Sequence, residues 1–335
     1  MAEAIPSNST VAVVGAGTMG AGIAQVAATA GHPVLLYDVR EDDAAQVIAK
    51  TRLRIYAVNS LQELGPAKLV IEAVVEDLAA KREVFASLED IVANDCLLAT
   101  NTSSISITAI GGSLQRPGRL AGMHFFNPAP RMELVEVASG LATDRNCAEA
   151  IHATATAWGK TPVHVKSSPG FIVNRVARPF YLEALRMLQE RVATPATIDA
   201  VVREAGGFRM GPFELMDLIG NDVNLAVSKS LFEAFFYEPR FRPSLLQQEL
   251  VDAGRLGRKT GRGWYEYGDT AAKPVPDTEF AATRSGMILH RILTAIADEA
   301  ERAVSEGICT AEDLNLAMRK GMHFPMGPLE WRSKL

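Results

Sequence analysis

The chain has 335 residues, of which 48% are hydrophobic and 22% charged, and a formal net charge of −5. This is the composition of an ordinary globular protein, long enough for two or three cores. Without a long Lys/Arg block it lacks the basic face that a duplex-binding protein needs, so nucleic acid is not an expected partner. Three widely spaced cysteines (Cys96, Cys147, Cys309) and six histidines with no H-x-x-x-H pair argue against a disulfide framework and against a metal site, and fit a reducing compartment.

Residues 11–30 carry no charge and approach the length of a membrane span. Gly15, Gly17, Gly20 and Gly22 weaken that reading, because each glycine destabilises a helix interior. No basic n-region of a signal peptide precedes them. The segment reads instead as a strand (10–14), a glycine turn, a helix ended by Gly31 and a second strand PVLLYD closing on Asp38. In Gly15-Ala16-Gly17-Thr18-Met19-Gly20 the first glycine permits the tight turn, the second lets backbone approach a pyrophosphate, and the third lets helix and strand pack closely. Free N–H groups at the helix start favour the diphosphate, and Asp38 suits the ribose hydroxyls of NAD while repelling a 2′-phosphate. Arg40, two residues on, leaves some use of NADP open.

KLVIEAVVED (68–77) is a further strand leading into a helix with Leu78, Phe85, Leu88 and Ile91 on one face. CLLATNTSS (96–104), GRLAGMHFFNP and MELVEVASG are three more strand-like runs. Alternating strands and helices predict a Rossmann-type, doubly wound, mostly parallel sheet, with ligands at the carboxyl ends of strands. Glu76, Asn101, Ser103 and His124 all lie at or near such ends. A neutral imidazole is the usual base for removing a hydroxyl proton, and a carboxylate on its other nitrogen fixes the tautomer. His124 and Glu136 are read as that pair. Ser103 is a partner for a substrate oxygen or an ordinary strand-end turn residue. Glu76 and Lys81 are either contacts to the cofactor ribose and nicotinamide side, or a solvated strand end and helix start. Ser167-Ser168-Pro169-Gly170 marks a domain boundary. The mainly helical region beyond it opens with Asn174, a polar residue placed to hold a carbonyl or hydroxyl oxygen, and Pro179 is expected to kink or break that helix.

The stretches VAVVGAGTMGAGIA, VIEAVVEDLAAKREVF, ATNTSSISIT, GMHFFNPAPRMELVEV, SPGFIVNR, MGPFELMDLIG and GRKTGRGWYEY span most of residues 10–267. In them the chain resembles the 3-hydroxyacyl-CoA dehydrogenase family, in particular its bacterial 3-hydroxybutyryl-CoA and 3-hydroxyadipyl-CoA types. The resemblance implies NAD-linked oxidation of an L-3-hydroxyacyl-CoA to the 3-ketoacyl-CoA in fatty-acid β-oxidation chemistry. It implies His124 as base with Glu136 as partner, and Ser103 and Asn174 on the substrate oxygen. Asp38, Glu76, Lys81, Asn101 and Asn127 are then expected to line the cofactor. It also implies a cytoplasmic homodimer built through the helical domain. The other readings are a dehydrogenase of a small free 3-hydroxy acid, and a non-catalytic, crystallin-like NAD-binding protein.

Two features depart from that family pattern. Its members carry a long helical arm before the V-I-E-A strand, which helps hold coenzyme A. Here only EDDAAQVIAKTRLRIYAVNSLQEL fills the space, so the arm reads as shortened. Residues 170–219 also align without a gap onto 286–335. Gly170, Ile172, Arg175, Glu183 and Ala184 recur as Gly286, Ile288, Arg291, Glu299 and Ala300, and Asn174 falls on His290. The expected domains are therefore 1–168 for NAD, 169–270 for substrate and dimerisation, and 283–335 as a second, truncated helical repeat standing where a dimer partner would. That copy stops where the first continues with Gly220, so Ser333-Lys334-Leu335 reads as the place where the repeat is cut, although the tripeptide also spells a peroxisomal address. Arg255, Arg258, Lys259 and Arg262 form either a site for coenzyme A phosphates or a solvated basic turn.

Overall fold

The computed structural model describes residues 2–49, 51–269, 271 and 274–332; Ser333-Lys334-Leu335 lies outside them. The chain forms two compact units, Met1–Phe171 with Ile308–Asp313, and Ile172–Gly307 with Leu314–Leu335.

The first unit is a single eight-stranded sheet with helices packed on it. Strands β1 (Val11–Val14), β2 (Val34–Tyr37), β3 (Ile55–Val58), β4 (Leu69–Glu72), β5 (Leu97–Thr100), β6 (Leu120–Phe125), β7 (Leu134–Ser139) and β8 (Thr161–Lys166) stand in the order β3-β2-β1-β4-β5-β6-β7-β8. Every pairing is parallel except β6 with β7. Helices α1 (Thr18–Thr29), α2 (Glu41–Ala49), α3 (Leu78–Ile91), α4 (Ile107–Gly111) and α5 (Arg145–Ala157) occur between strands. The chain winds outward from β1 through β2 to β3, then restarts on the other side of β1 with β4. The switch point, where dinucleotides bind in such sheets, is thus the crevice at the carboxyl ends of β1 and β4. β1 and β4 are buried along their whole length, as expected of central parallel strands.

The segment expected to be only a shortened arm does more than that. It folds into α2 and β3, which completes the sheet edge beyond β2. In β3 the end residues Ile55 and Val58 are buried and the middle pair is exposed. A strand with so little apolar patterning is stabilised by its backbone ladder to β2 and is invisible to periodicity.

The helical unit comprises α6 (Val173–Val176), α7 (Arg178–Gln189), α8 (Pro195–Glu204), α9 (Pro212–Ile219), α10 (Asn221–Ala234), α11 (Leu245–Asp252), α12 (Thr278–Ser305), most of α13 (Ala311–Gly321) and α14 (Pro328–Trp331). As expected, Pro179 interrupts the first copy: α6 stops at Val176 and α7 restarts with the proline in its first turn. At the corresponding place the second copy has Ala295, and α12 runs through it without a break. Each copy then starts a helix on Gly-Pro, with a glutamate closing back on the glycine N–H: Glu214 to Gly211 at 3.0 Å and Glu330 to Gly327 at 2.9 Å.

The two copies grip each other reciprocally. Arg175 of the first pairs with Glu299 (2.6 Å) and Glu306 (2.8 Å) of the second. Arg291, its equivalent, pairs with Glu183 and Glu190, the equivalents of those two glutamates. Phe208 meets its own counterpart Phe324 at 5.1 Å between ring centroids, in a cluster with Phe180 and Trp331. Residue i of one copy touching j of the other, and j touching i, is the signature of an isologous twofold interface, here enclosed within one chain.

Candidate active site

The glycine turn has the shape its spacing predicts. Gly15 adopts φ +104°, and a Cβ there would stand 2.6 Å from the Ala73 carbonyl oxygen at the end of β4. A Cβ on Gly20 would be 1.8 Å from the Gly15 oxygen. Gly17, the residue before α1, has nothing within 4 Å of its missing side chain, so the mouth of the turn is open to a diphosphate. Thr18 and Met19 form the first turn of α1. Asp38 fastens the turn to β2: its carboxylate accepts from the Ala16 N–H at 2.6 Å and the Arg40 N–H at 2.9 Å. The Arg40 side chain is turned to Asp43 at 2.5 Å. Beside these residues lies a cavity of about 640 Å³, walled by Gly15, Asp38, Ala73, Val74 and Val75. A mainly apolar cleft whose charged lining is Asp38, Arg40 and Glu83, next to an open glycine turn, fits the adenosine half of NAD.

Next along the strand ends come Glu76 and the loop after β5. Glu76 accepts from the Thr102 hydroxyl (2.7 Å), the Ser103 N–H (2.9 Å), and the Ser104 N–H (3.1 Å) and hydroxyl (3.0 Å). Burial alone would raise its pKa. The Thr102 hydrogen bond, the Lys81 charge and the Ser103 and Ser104 bonds outweigh it and hold the carboxyl below the usual range. Lys81 is buried, with its ammonium 2.7 Å from Glu72 and 3.3 Å from Glu76. Ser103 is half-buried. The Asn101 side-chain oxygen accepts from the Phe125 N–H at 2.8 Å, which ties β5 to the end of β6.

At that end sits His124. The antiparallel register of β6 and β7 sets it directly opposite Glu136, so both side chains leave the same face of the sheet. His124 Nδ1 lies 2.7 Å from Glu136 Oε2, with Glu136 fully buried and the histidine 6% exposed. The carboxylate takes the Nδ1–H, so Nε2 is the nitrogen left for chemistry. Phe126 and Phe171 flank the ring at 4.5 and 5.8 Å. Asn127 follows on an exposed cis Asn127–Pro128 bond.

His124, Glu136, Ser103, Asn101, Glu76 and the glycine turn thus lie along the carboxyl edge of one sheet. Asn174 belongs to the helical unit, half-buried in α6. The basic turn is largely spent on neighbours in that unit: Lys259 on Asp222, Arg262 on Glu266, and Arg258 over the Tyr267 ring. Sequence reading missed Glu72, which is 0% exposed and accepts from Lys81, the Val74 N–H and the Thr100 hydroxyl. A carboxylate ending the apolar run LVIE was its signal, since a buried charge demands partners. Among the described residues no cluster of three or more metal-ligating side chains occurs, and no helix is long and apolar enough to cross a membrane.

The NAD-binding-domain model of the 3-hydroxyacyl-CoA dehydrogenases matches residues 10–57 and 45–168. The C-terminal-domain model of the same family matches twice, at 170–267 and 286–334. Curated relatives include the 3-hydroxyadipyl-CoA dehydrogenase of Escherichia coli (strain K12), 40% identical over 97% of this chain and 90% of its own length. The 3-hydroxybutyryl-CoA dehydrogenase of Bradyrhizobium diazoefficiens is 41% identical over 79% of this chain and 97% of its own length. Among solved structures, a 3-hydroxybutyryl-CoA dehydrogenase from Escherichia coli K12 superposes with a TM-score of 0.90 at 38% identity, covering 98% of this chain and 91% of that one. On the glycine turn, the sheet order and both halves of its sequence, the chain belongs to the NAD-binding 3-hydroxyacyl-CoA dehydrogenase family.

Proposed function

We propose that the chain catalyses the reversible NAD-linked oxidation of an L-3-hydroxyacyl-CoA to the 3-ketoacyl-CoA, with His124 as general base and Glu136 as its partner. The observation that carries this reading is the 2.7 Å His124–Glu136 contact at the carboxyl edge of a dinucleotide-binding sheet. NAD, when bound, supplies the hydride acceptor. His124 Nε2 takes the proton of the C3 hydroxyl, and the buried Glu136 carboxylate stabilises the imidazolium that results. Ser103 holds the substrate oxygen against that nitrogen. Asp38 takes the adenosine ribose, while Glu76, Lys81, Asn101 and Asn127 shape the remainder of the cofactor site. Two observations favour NAD over NADP: Asp38 presents a carboxylate where a 2′-phosphate would go, and Arg40 is engaged by Asp43. The reciprocal pairing of the repeats supports a pseudo-dimer within one chain, and the free cysteines Cys96, Cys147 and Cys309 fit a reducing, cytoplasmic location.

His124→Ala tests the mechanism. NADH binding, followed by its fluorescence, is expected to stay within about threefold of wild type, while turnover of acetoacetyl-CoA drops by at least ~10²-fold, the usual contribution of a general base. An unchanged turnover would end the proposal. Running free acetoacetate beside acetoacetyl-CoA reads whether coenzyme A is recognised.

A further inference from the structure

The group that the proposed mechanism does not use is Glu72, at the last position of β4. Its neighbours across the sheet are Val14 and Thr100, so it is enclosed on both sides. One carboxylate oxygen accepts from the Val74 N–H and from the Lys81 ammonium, both at 2.7 Å, and the other from the Thr100 hydroxyl at 2.7 Å. The ammonium in the first turn of α3 is as buried as the carboxylate, at 1% and 0% exposure. Neither charge can be held in such a place without the other.

What makes this pair more than a structural plug is the next contact. The ammonium also reaches Glu76 at 3.3 Å, and Glu76 is the hub on which the 102–104 turn hangs. The turn has few other ties, chiefly the Thr102 hydroxyl closing on the Ile105 N–H and the Thr100 hydroxyl on the Thr102 N–H. The contacts therefore run from the sheet core through Glu72, Lys81 and Glu76 to the turn and Ser103, beside a shorter route from Glu72 through the Thr100 hydroxyl to the Thr102 N–H. We propose that Glu72 is a positioning residue for the reaction, fixing through the Lys81 ammonium and Glu76 the turn that carries Ser103. The catalytic consequence rests on the assignment of Ser103 to the substrate oxygen; the mechanical relay does not. On this reading Lys81 acts on the site from behind Glu76.

The test is the double variant Glu72→Gln/Lys81→Met. Replacing both members of a buried pair by neutral residues of similar size is commonly neutral for stability. Its melting temperature is therefore expected to stay close to wild type. With Glu76 deprived of its cation, hydrogen exchange of the Ser103 and Ser104 amides should accelerate about tenfold or more. The kcat/KM for acetoacetyl-CoA should fall by at least about tenfold, as expected of a misplaced substrate-binding group. A purely structural pair predicts the opposite, recovery of both the exchange rates and kcat/KM once the two charges are removed together, and that result overturns the relay. If the double variant does not fold, Glu72→Asp keeps the charge but retracts the carboxylate, and the same exchange measurement must show faster amides at Ser103 and Ser104. Unchanged exchange there also overturns it. Absence of any wild-type turnover would count against the acyl-CoA reading alone, because the exchange measurement needs no substrate.

Discussion

The reciprocal ion pairs of the two repeats invite a test in which sequence equivalence and physical environment make different predictions. Arg175 and Arg291 occupy the same position of the repeat and pair with equivalent glutamates. Their surroundings differ. The Arg175 side chain is fully buried and Glu299 is 1% exposed, whereas Arg291 is 29% exposed and Glu190 half-exposed. Removing Arg175 as Arg175→Met leaves Glu299 buried, compensated by Arg240 at 2.7 Å and more distantly by Arg302 at 3.7 Å. It also takes a guanidinium from over the Phe235 ring. Stripping one partner from a buried pair costs about 3–5 kcal/mol, and the surviving Arg240 contact puts this case near the lower end, ~3 kcal/mol. Arg291→Met leaves Glu183 with Arg186 at 3.0 Å and returns Glu190 to water. That loss should be at most ~1 kcal/mol. The difference of ~2 kcal/mol corresponds to about 30-fold in a local opening equilibrium. Hydrogen exchange of the α12 amides reads that equilibrium directly, and a chain of two units is better followed this way than by one global transition. Arg175→Met should speed exchange about 100-fold and Arg291→Met less than tenfold. Equal effects would refute the argument that burial, and not the repeat position, sets the energy.

Two further outcomes follow from single groups. Burial pushes the Asp199 carboxyl up to about 7 from 3.8, against hydrogen bonds from the Phe213 and Glu214 N–H groups and the Tyr265 hydroxyl that favour its charged form. With the folded value above the unfolded one, its contribution to stability is fully present below about pH 3.8 and is lost as pH rises through about 7. Asp199→Asn should flatten that decline, so that its melting temperature gains on wild type between pH 5 and pH 8; an unaltered pH slope would contradict this. The second repeat already carries the neutral version, Asn315, whose oxygen accepts from the Leu329 N–H. Gly20→Ala places a Cβ where the Gly15 oxygen stands, so the turn must open. NADH affinity should fall by at least about tenfold, or ~1.4 kcal/mol, with the circular dichroism spectrum preserved; an unchanged Kd would show that the turn does not meet the cofactor.

Much of the first unit was legible because its signals are local. Glycine spacing, apolar runs and the acid after β2 sit within forty residues and each has one physical meaning. The His124–Glu136 pairing was legible for a different reason. An imidazole near a strand end and a carboxylate inside the next apolar run are chemically suited partners, and a buried carboxylate needs one. Strand β8 and strand β3 were not readable as such. TPVHVK contains Pro162 and a histidine, and β3 offers two buried residues in four; both are edge strands, where proline and exposed side chains are tolerated and packing demands little of the sequence. The relay from Glu72 was hidden because its members are spread over β4, α3 and the loop after β5, and only the sheet order brings them together.

Holding the dyad in register takes more than its own hydrogen bond. A slip of one residue between β6 and β7 would send Glu136 to the opposite face from His124. Three elements oppose that slip. Asn101, after β5, pins the Phe125 N–H one residue beyond the histidine. Lys160, before β8, donates to the carbonyls of Ala129 (2.6 Å) and Met132 (2.8 Å) and closes the turn between the two strands. Gly22 of α1 lets that turn seat closely, since a Cβ there would stand 3.2 Å from Ala129 and Pro130. The helix that begins at the glycine turn therefore also braces the turn that sets the histidine opposite its carboxylate.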